Sequence, residues 1–387
     1  MSFVESEERR DLRQVAAELG TKYGHDYALR KIRAGEPLDE LWAEAAKLGF
    51  LGVNIPEEFG GGGAGIYELS LILEELSAAG SGLLMMVVTP AICASIISRY
   101  GTPDQQRRWL PGFSDGSSIM AFAITEPEAG SNSHKLTTTG RRDSDGGGWI
   151  VNGRKVFISG VDQAEAVMVV GRTEDAKTGK LKPALWIVPT DAPGFEFKPI
   201  EMDVLMPERQ YMLYLDDVQL PADALVGSED AALLQLFAGL NPERIMVAAL
   251  AIGTARYALD KAVAYAKERT VWSGPIGSHQ GIAHPLAQVK VELELAKLMM
   301  QKAATLYDAG DDMGAADAAN MAKYAAAEVN VRAVDQAIQS HGGNGLASEY
   351  GLGTLLGVSR VSRIAPVSRE MLLNYVAQNT LGLPKSY

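Results

Sequence analysis

Cysteine is almost missing from this sequence: Cys93 is the only one in 387 residues. No intrachain disulfide can form, and no cysteine cluster can hold a metal. The five histidines contain no HExxH pattern, and His279 and His284 stand at a poor same-face spacing for a helix. We therefore expect no metal site. Basic charge is in deficit too, with a formal net charge of −12. That argues against nucleic acid as a main partner, because a phosphate backbone needs a basic face. A local basic pocket for a phosphorylated cofactor stays open. Long apolar runs are also lacking: the most apolar, Leu83 to Val88, is too short to cross a bilayer and soon meets Pro90. The first twenty residues are charged and hold no apolar h-region, so we expect no signal peptide, no membrane partner and a cytoplasmic protein. No low-complexity tract suggests disorder, and the length suits two or three domains, or one large one with a deep core.

What is present falls into three textures. Residues 1–118 read as an N-terminal all-α domain: in ELWAEAAKLGFLGV the apolar Leu41, Ala45 and Leu48 recur at helical spacing, and YELSLILEELSAAG repeats the pattern. Over 119–228 the period changes to that of strands. GWIVNGRKVFISG predicts a hairpin turning at Asn152-Gly153, and AVMVVGRT, ALWIVPT and YMLYLDDVQL follow as β-rich segments. Short strands without intervening helices indicate an antiparallel barrel or sandwich rather than βαβ units. Residues 229–387 return to Ala-rich helix formers over 244–268, 285–309 and 315–340, the pattern of an antiparallel bundle. The fold class expected is α+β and multidomain.

Gly60-x-Gly62-x-x-Gly65 satisfies the dinucleotide-binding fingerprint in form. The fingerprint has physical meaning only between a strand and a helix of a βαβ unit. Here it follows Ile55-Pro56-Glu57-Glu58 in a helical region, so a flexible connecting loop is the better reading.

AFAITEPEAGSN (121–132), KVFISG (155–160), ERTVWSGPI (268–276), AIQSHGGNGL (337–346) and LGFLGVNIPEEFGG (48–61) are more telling. Together, and in their order along the chain, they resemble the hallmark segments of the acyl-CoA dehydrogenases. The resemblance implies an N-terminal helical domain, a middle β-barrel domain and a C-terminal four-helix bundle. It also implies bound FAD, an acyl-CoA substrate, an electron-transfer flavoprotein as electron acceptor, and a homo-oligomer built as a dimer of dimers. A flavin that accepts hydride at N5 gathers negative charge at N1 and the C2 carbonyl, where N–H and hydroxyl donors favour the reduced ring. By resemblance Phe122, Ile124 and Thr125 line the pyrimidine end, Phe157 packs on the isoalloxazine, Ser159 reaches toward N5, and Gly130 and Ser131 belong to the same cofactor segment. Arg269 would pair with the pyrophosphate, which suits a planar guanidinium; its structural alternative is a cation at a helix C-terminus. Trp272, His279 and Gln280 follow in that segment. Gln339, Gly342 and Gly343 resemble the part that reaches FAD from a neighbouring subunit, and Ser368 and Glu370 the last cofactor-contacting turn. Ser131, Asn241, Arg244 and Val367 are the matching substrate contacts.

The reaction needs a carboxylate for the α-proton. Many relatives carry it near the C-terminus, but counting from Gly342 without gaps puts Pro366 at that position. A second branch, with isovaleryl- and long-chain-type enzymes, carries its glutamate just before an arginine on another helix. Glu243-Arg244 matches that place, with Asn241 expected as N-cap, Pro242 at N1 and Glu243 in the first turn. Serving only the helix dipole is the structural alternative for Glu243, and Glu126 and Glu349 are rival carboxylates. Pro366 has no N–H, which leaves Val367 as the thioester-polarising donor. An acyl-CoA oxidase or monooxygenase-like relative, or a non-catalytic subunit, are the competing functions.

Overall fold

A computed structural model describes residues 5–144, 147–175, 177–228 and 232–385. The expected junction at 228/229 abuts residues outside that description. The chain opens with helices α1 (Glu7–Ala34), α2 (Asp39–Lys47) and α3 (Ile66–Ala78), then a π-helical turn (Val87–Ala94) that runs on into α4 (Ser95–Tyr100), and α5 (Pro103–Ser114). Strands follow as β1 (Met120–Ala123), β2 (Thr139–Arg142), β3 (Gly148–Ser159), β4 (Ala166–Glu174), β5 (Leu181–Pro189), β6 (Phe195–Ile200) and β7 (Gln210–Pro221). The remainder is α6 (Ala232–Glu268), a short hairpin of β8 (Thr270–Val271) and β9 (Gly274–Pro275), α7 (Gln280–Asp308), α8 (Asp312–His341), α9 (Leu355–Ile364) and α10 (Arg369–Tyr375).

The seven-stranded sheet runs β1-β4-β2-β3-β7-β6, with β5 on β4 as well. It is mixed: β1 and β2 lie parallel to β4, and the other pairings are antiparallel. The alternation along β4 explains why it reads as a nearly continuous apolar run. Ala166, Met168 and Val170 face a core shared with Ile92, Cys93, Ile96 and Phe113 of the helical region. Val167 and Val169 face the other side, against Trp149, Trp186 and Leu213. A third core joins the N-terminal helices to the bundle, with Leu69, Ile72 and Leu76 of α3 against Ile245, Met246 and Ile252 of α6. Its polar counterpart is buried Glu74, paired with Arg13 at 3.1 Å, Arg256 at 2.6 Å and Lys297 at 3.1 Å, so that α3 is tied by charge to α1, α6 and α7. The stretch Leu234–Glu268 is long and apolar enough to span a membrane, but its most apolar window is 72% buried inside the protein, as a core helix is.

One local expectation needs correction. Asn152-Gly153 does not turn: β3 runs straight through it, with a register shift against β7 between Val151 and Gly153. The Asn152 side chain donates to Asp217 Oδ1 at 2.9 Å and accepts from the Asp217 N–H at 2.8 Å. A Cβ on Gly153 would sit 2.3 Å from Thr138 Oγ1. The Asn-Gly pair therefore serves a bulge and a close approach to β2, the other use of glycine in a strand. The glycine-rich loop is a connecting loop, as expected, and not a phosphate cradle. Its N–H groups at Gly62, Gly63 and Ala64 donate to the carbonyls of Gly52, Ile55 and Val53, each at 2.9 Å. The α3 N-terminus beyond it already holds an anion: Asp308 accepts from the N–H groups of Ile66 and Tyr67 at 2.8 and 2.9 Å.

A second correction concerns Pro242. Asn241 caps nothing, because α6 begins near residue 232 and carries Pro242 in its interior. Proline has no N–H for the carbonyl four residues back, here Ala238. The buried Tyr307 hydroxyl donates to that carbonyl at 2.8 Å. Tyr307→Phe should therefore leave a buried acceptor without its donor and lower stability by ~1–3 kcal/mol. Thermal unfolding of the two proteins checks this, with the substitution expected to lower the midpoint.

Candidate active site

Strands β1 and β3 end side by side and bring five of the expected flavin residues together. Beyond β1 the chain continues as a strap through Ile124 and Thr125, whose carbonyl accepts from the Val156 N–H at 2.9 Å. Next to Val156, in a second register shift of β3 against β7, stands Phe157. It has φ 58 and is 57% exposed. A bulky residue in the left-handed region costs roughly 1–3 kcal/mol and marks a site where the surroundings impose it. Here the bulge turns an aromatic ring outward beside Phe122, Ile124 and Thr125. Ser159 completes the group, its hydroxyl bonded to the Gln210 side chain at 2.9 Å.

Beneath the strap lies a buried ion pair. Lys155 donates to Glu126 at 2.9 Å and to the Ile124 carbonyl at 3.0 Å. Glu126 also accepts from the Thr137 N–H at 2.6 Å, the Thr137 hydroxyl at 2.7 Å and the Thr138 N–H at 2.9 Å. Burial alone would raise the Glu126 pKa, but these donors outweigh it and hold the carboxyl at about 2. Gly130 and Ser131 are exposed farther along the strap.

A second group is exposed elsewhere. Arg269 precedes the β8–β9 hairpin, Trp272 sits in its turn with φ 59 and 91% exposure, and His279 and Gln280 open α7. Gln339, Gly342 and Gly343 are exposed at the end of α8; Gly342 has φ 59, and a Cβ on either glycine would meet only open space. Among the described residues no hydrogen bond or ring contact joins this group to the β1–β3 group. Exposed backbone at glycine, an exposed guanidinium and a solvent-facing indole suit a phosphate-bearing aromatic cofactor, and the outward Phe157 ring suits its tricyclic end. On these observations the residues fit FAD.

Glu243 occupies a third place, on α6, half-buried. Among the described residues its carboxylate makes no hydrogen bond and no ion pair. Burial raises its pKa from 4.5 to about 7, only partly offset by the charges of Arg244 and Lys323. Its charge acts in turn on the Cys93 thiol, which burial pushes up. Cys93 lies in the π-helical turn, a distortion frequent at functional sites, and its sulfur is 3.8 Å from the carbonyls of Met120 and Ala121 on β1. Glu243 thus stands near the strand that leads to Phe122.

Arg244 folds back one turn: its Nη1 donates to the Leu240 carbonyl at 3.0 Å and to Asn241 Oδ1 at 3.3 Å, while its Nε is buried without a partner. Asn241, 1% exposed, also donates to the Asp312 carbonyl at 3.1 Å. Its amide is engaged in positioning Arg244. Ser368 caps α10, accepting from the Met371 N–H at 3.4 Å, with Glu370 exposed in the first turn. Glu349 is exposed.

Two residues of this region escaped sequence reasoning. Lys323 is 1% exposed on α8 and donates to the Val367 carbonyl at 2.6 Å. The signal was present: Ala315, Ala319, Ala322 and Ala326 form the buried stripe of α8, and Lys323 falls within it. Glu208 is the other. It accepts from the Leu84 N–H at 3.1 Å ahead of the π-helical turn, its second oxygen is buried without a partner, and burial raises its pKa to about 7. No local pattern in MPERQ marks it.

Glu243 and Glu208 both have folded-state pKa values above 4.5, so each supports the fold fully below about pH 4.5 and loses that contribution as pH rises through about 7. Glu243→Gln cannot ionise. At pH 8 it should be more stable than the parent by on the order of 1–2 kcal/mol, the remainder of a ~3 kcal/mol displacement after water reaches the carboxylate. At pH 4 the gain should vanish. Thermal midpoints across pH measure it.

The fold and site describe a flavin-dependent oxidoreductase with a carboxylate near the flavin strands. Family models for the acyl-CoA dehydrogenase N-terminal, middle and C-terminal domains match residues 6–117, 121–218 and 234–381. The chain is 68% identical over 386 residues to acyl-CoA dehydrogenase FadE12 of Mycobacterium tuberculosis, covering 100% of this chain and 99% of that one. Among solved structures, butyryl-CoA dehydrogenase from Megasphaera elsdenii superposes with a TM-score of 0.91 at 27% identity, over 98% of this chain and 100% of that one. A glutaryl-CoA dehydrogenase from Mycobacterium smegmatis in complex with FADH2 gives a TM-score of 0.90 at 26% identity, over 99% and 97%. The chain belongs to the acyl-CoA dehydrogenase family. It is an oxidoreductase whose cofactor is FAD, and FAD-dependent dehydrogenation is the family's general reaction.

Proposed function

We propose that the chain removes two hydrogens from Cα and Cβ of an acyl-CoA thioester to give the trans-2-enoyl-CoA, with Glu243 as the base for the α-proton. The observation that carries this reading is the Glu243 carboxylate itself, half-buried, without a hydrogen bond among the described residues, and brought by burial to about 7. A base of that strength is matched to neutral pH. The rivals are differently placed: Glu126 is saturated with donors and held at about 2, and Glu349 is exposed. Bound FAD supplies the acceptor for the β-hydrogen and its electron pair.

This chain's own residues do the rest. Arg244, fixed by Asn241 and the Leu240 carbonyl, holds positive charge beside the base. The Val367 N–H donates to no other described residue, which leaves it available to polarise the thioester carbonyl. Phe157 and Thr125 would hold the flavin, and entering substrate would exclude water from Glu243. The exposed face of Arg269, Trp272, His279, Gln280, Gln339, Gly342 and Gly343 supports pairing with a second copy that completes the cofactor site, within a dimer of dimers. An electron-transfer flavoprotein is the proposed electron acceptor.

Anaerobic titration of the FAD-loaded protein with butyryl-, isovaleryl-, octanoyl- and palmitoyl-CoA tests the reading. At least one should bleach the visible flavin absorbance and yield its enoyl-CoA. A yellow protein that none of them bleaches would move the function toward the oxygen-using or non-catalytic relatives.

A further inference from the structure

Three titratable side chains act on one another where α6, α8 and the segment before α10 come together: half-buried Glu243 and Arg244, and buried Lys323. Their partners are unevenly shared. Arg244 directs Nη1 backward to the Leu240 carbonyl and Asn241. Glu328, an acid on the same helix as Lys323, is matched by Arg363 at 2.7 Å and Arg369 at 3.6 Å. Glu370 of α10 is exposed. Lys323 forms no ion pair among the described residues, and its one hydrogen bond is to the Val367 carbonyl at 2.6 Å. A lysine ammonium kept 1% exposed on an alanine stripe carries a large desolvation cost. A methionine or leucine would pack there without that cost.

We propose that Lys323 is a positioning residue of this site: its buried ammonium ties the 365–368 segment to the bundle through the Val367 carbonyl and supplies, with Arg244, the positive charge that acts on Glu243. The inference rests on the reading of Glu243 as the base. The groups acting on Lys323 are Glu243 and Arg244 from α6, Glu328 from α8 and Glu370 from α10. Those acting on Glu243 are Arg244 and Lys323, and Glu243 in turn acts on Cys93 from the π-helical turn. Tyr375 acts on Arg244. Burial lowers the Lys323 pKa to about 8 with Arg244 adding to the effect, while the three acids oppose it; Lys323 and Arg244 in turn lower that of Glu243. The coupling is reciprocal, so loss of the lysine charge makes Glu243 a weaker acid.

The two parts of this role separate by substitution. Lys323→Gln keeps a donor for the Val367 carbonyl but removes the charge, Lys323→Arg keeps the charge, and Lys323→Met removes both. The first readout needs no turnover: infrared difference spectra of the FAD-loaded protein follow the protonated carboxyl stretch of Glu243 with pH, assigned by its absence in Glu243→Gln. The second is the pH midpoint of the anaerobic flavin-reduction rate, with whichever of the four acyl-CoAs named above reduces fastest. In Lys323→Gln both midpoints should move up by about one unit, and in Lys323→Arg they should stay with the parent. Lys323→Met should add a fall in the limiting rate, because the 365–368 segment loses its tether. The Gln and Arg proteins carry the test if the Met protein loses FAD. Midpoints in Lys323→Gln equal to those of the parent would overturn the inference. Parent-like reduction by Glu243→Gln would instead overturn the assignment of the base.

Discussion

Glu243→Gln is expected to slow flavin reduction by an acyl-CoA between roughly 10²- and 10⁴-fold, the range that a positioned general base contributes, with FAD still bound. The substitution keeps the shape and polarity of the side chain and removes only its ability to take a proton. Glu243 makes no hydrogen bond or ion pair with the described residues, so neither is lost with it. Retention of the flavin, together with the gain in stability expected at pH 8, separates a lost base from a damaged fold. A stabler protein with much lower activity is the signature of a group held at an energetic cost for function. Stopped-flow measurement of the flavin absorbance gives the rate, and a loss below tenfold would remove Glu243 from the role.

The other large effect is structural. Lys155→Met should destabilise the protein by about 3–5 kcal/mol, the cost of leaving a buried carboxylate without its cation. Lys155 and Glu126 are 0% and 2% exposed at the side chain and 2.9 Å apart. Lys155 also holds the Ile124 carbonyl, so the strap carrying Thr125 loses its anchor. We therefore expect FAD to dissociate during purification, as well as a lower thermal midpoint. A protein with full flavin content and an unchanged midpoint would show that the pair holds neither the strap nor the fold.

The course of the chain was legible wherever one physical signal dominated. The 3.6-residue spacing in α2 and α3 and the period of two in β7 mark their elements without help from the rest of the chain. Both faces of β4 are buried, and it still reads as a strand because Val167, Val169 and Val170 are β-branched and Gly171 follows. What failed depended on partners distant in sequence. Asn152-Gly153 looks like a turn until Asp217 and Thr138 are placed beside it. Pro242 looks like a helix start until Tyr307 supplies the donor that its Ala238 carbonyl lacks. Near the candidate base, Glu243-Arg244 stands out as the one charged pair within 232–255 of its helix. Lys323 and Glu208 do not, since their roles come from burial against Val367 and Leu84, more than forty and more than a hundred residues away. Phe157 is intermediate. Its segment is recognisable, but the positive φ that turns the ring outward is a property of the bulge.

The measurement that tests the central claim most directly is exchange of the substrate α-hydrogen with solvent. The FAD-loaded protein and Glu243→Gln would each be held anaerobically in deuterated buffer with an excess of the acyl-CoA that bleaches the parent, and the recovered acyl-CoA analysed by mass spectrometry. Deuterium entering Cα with the parent and not with Glu243→Gln is the result predicted. Equal exchange by both proteins would contradict it and place the base on another residue.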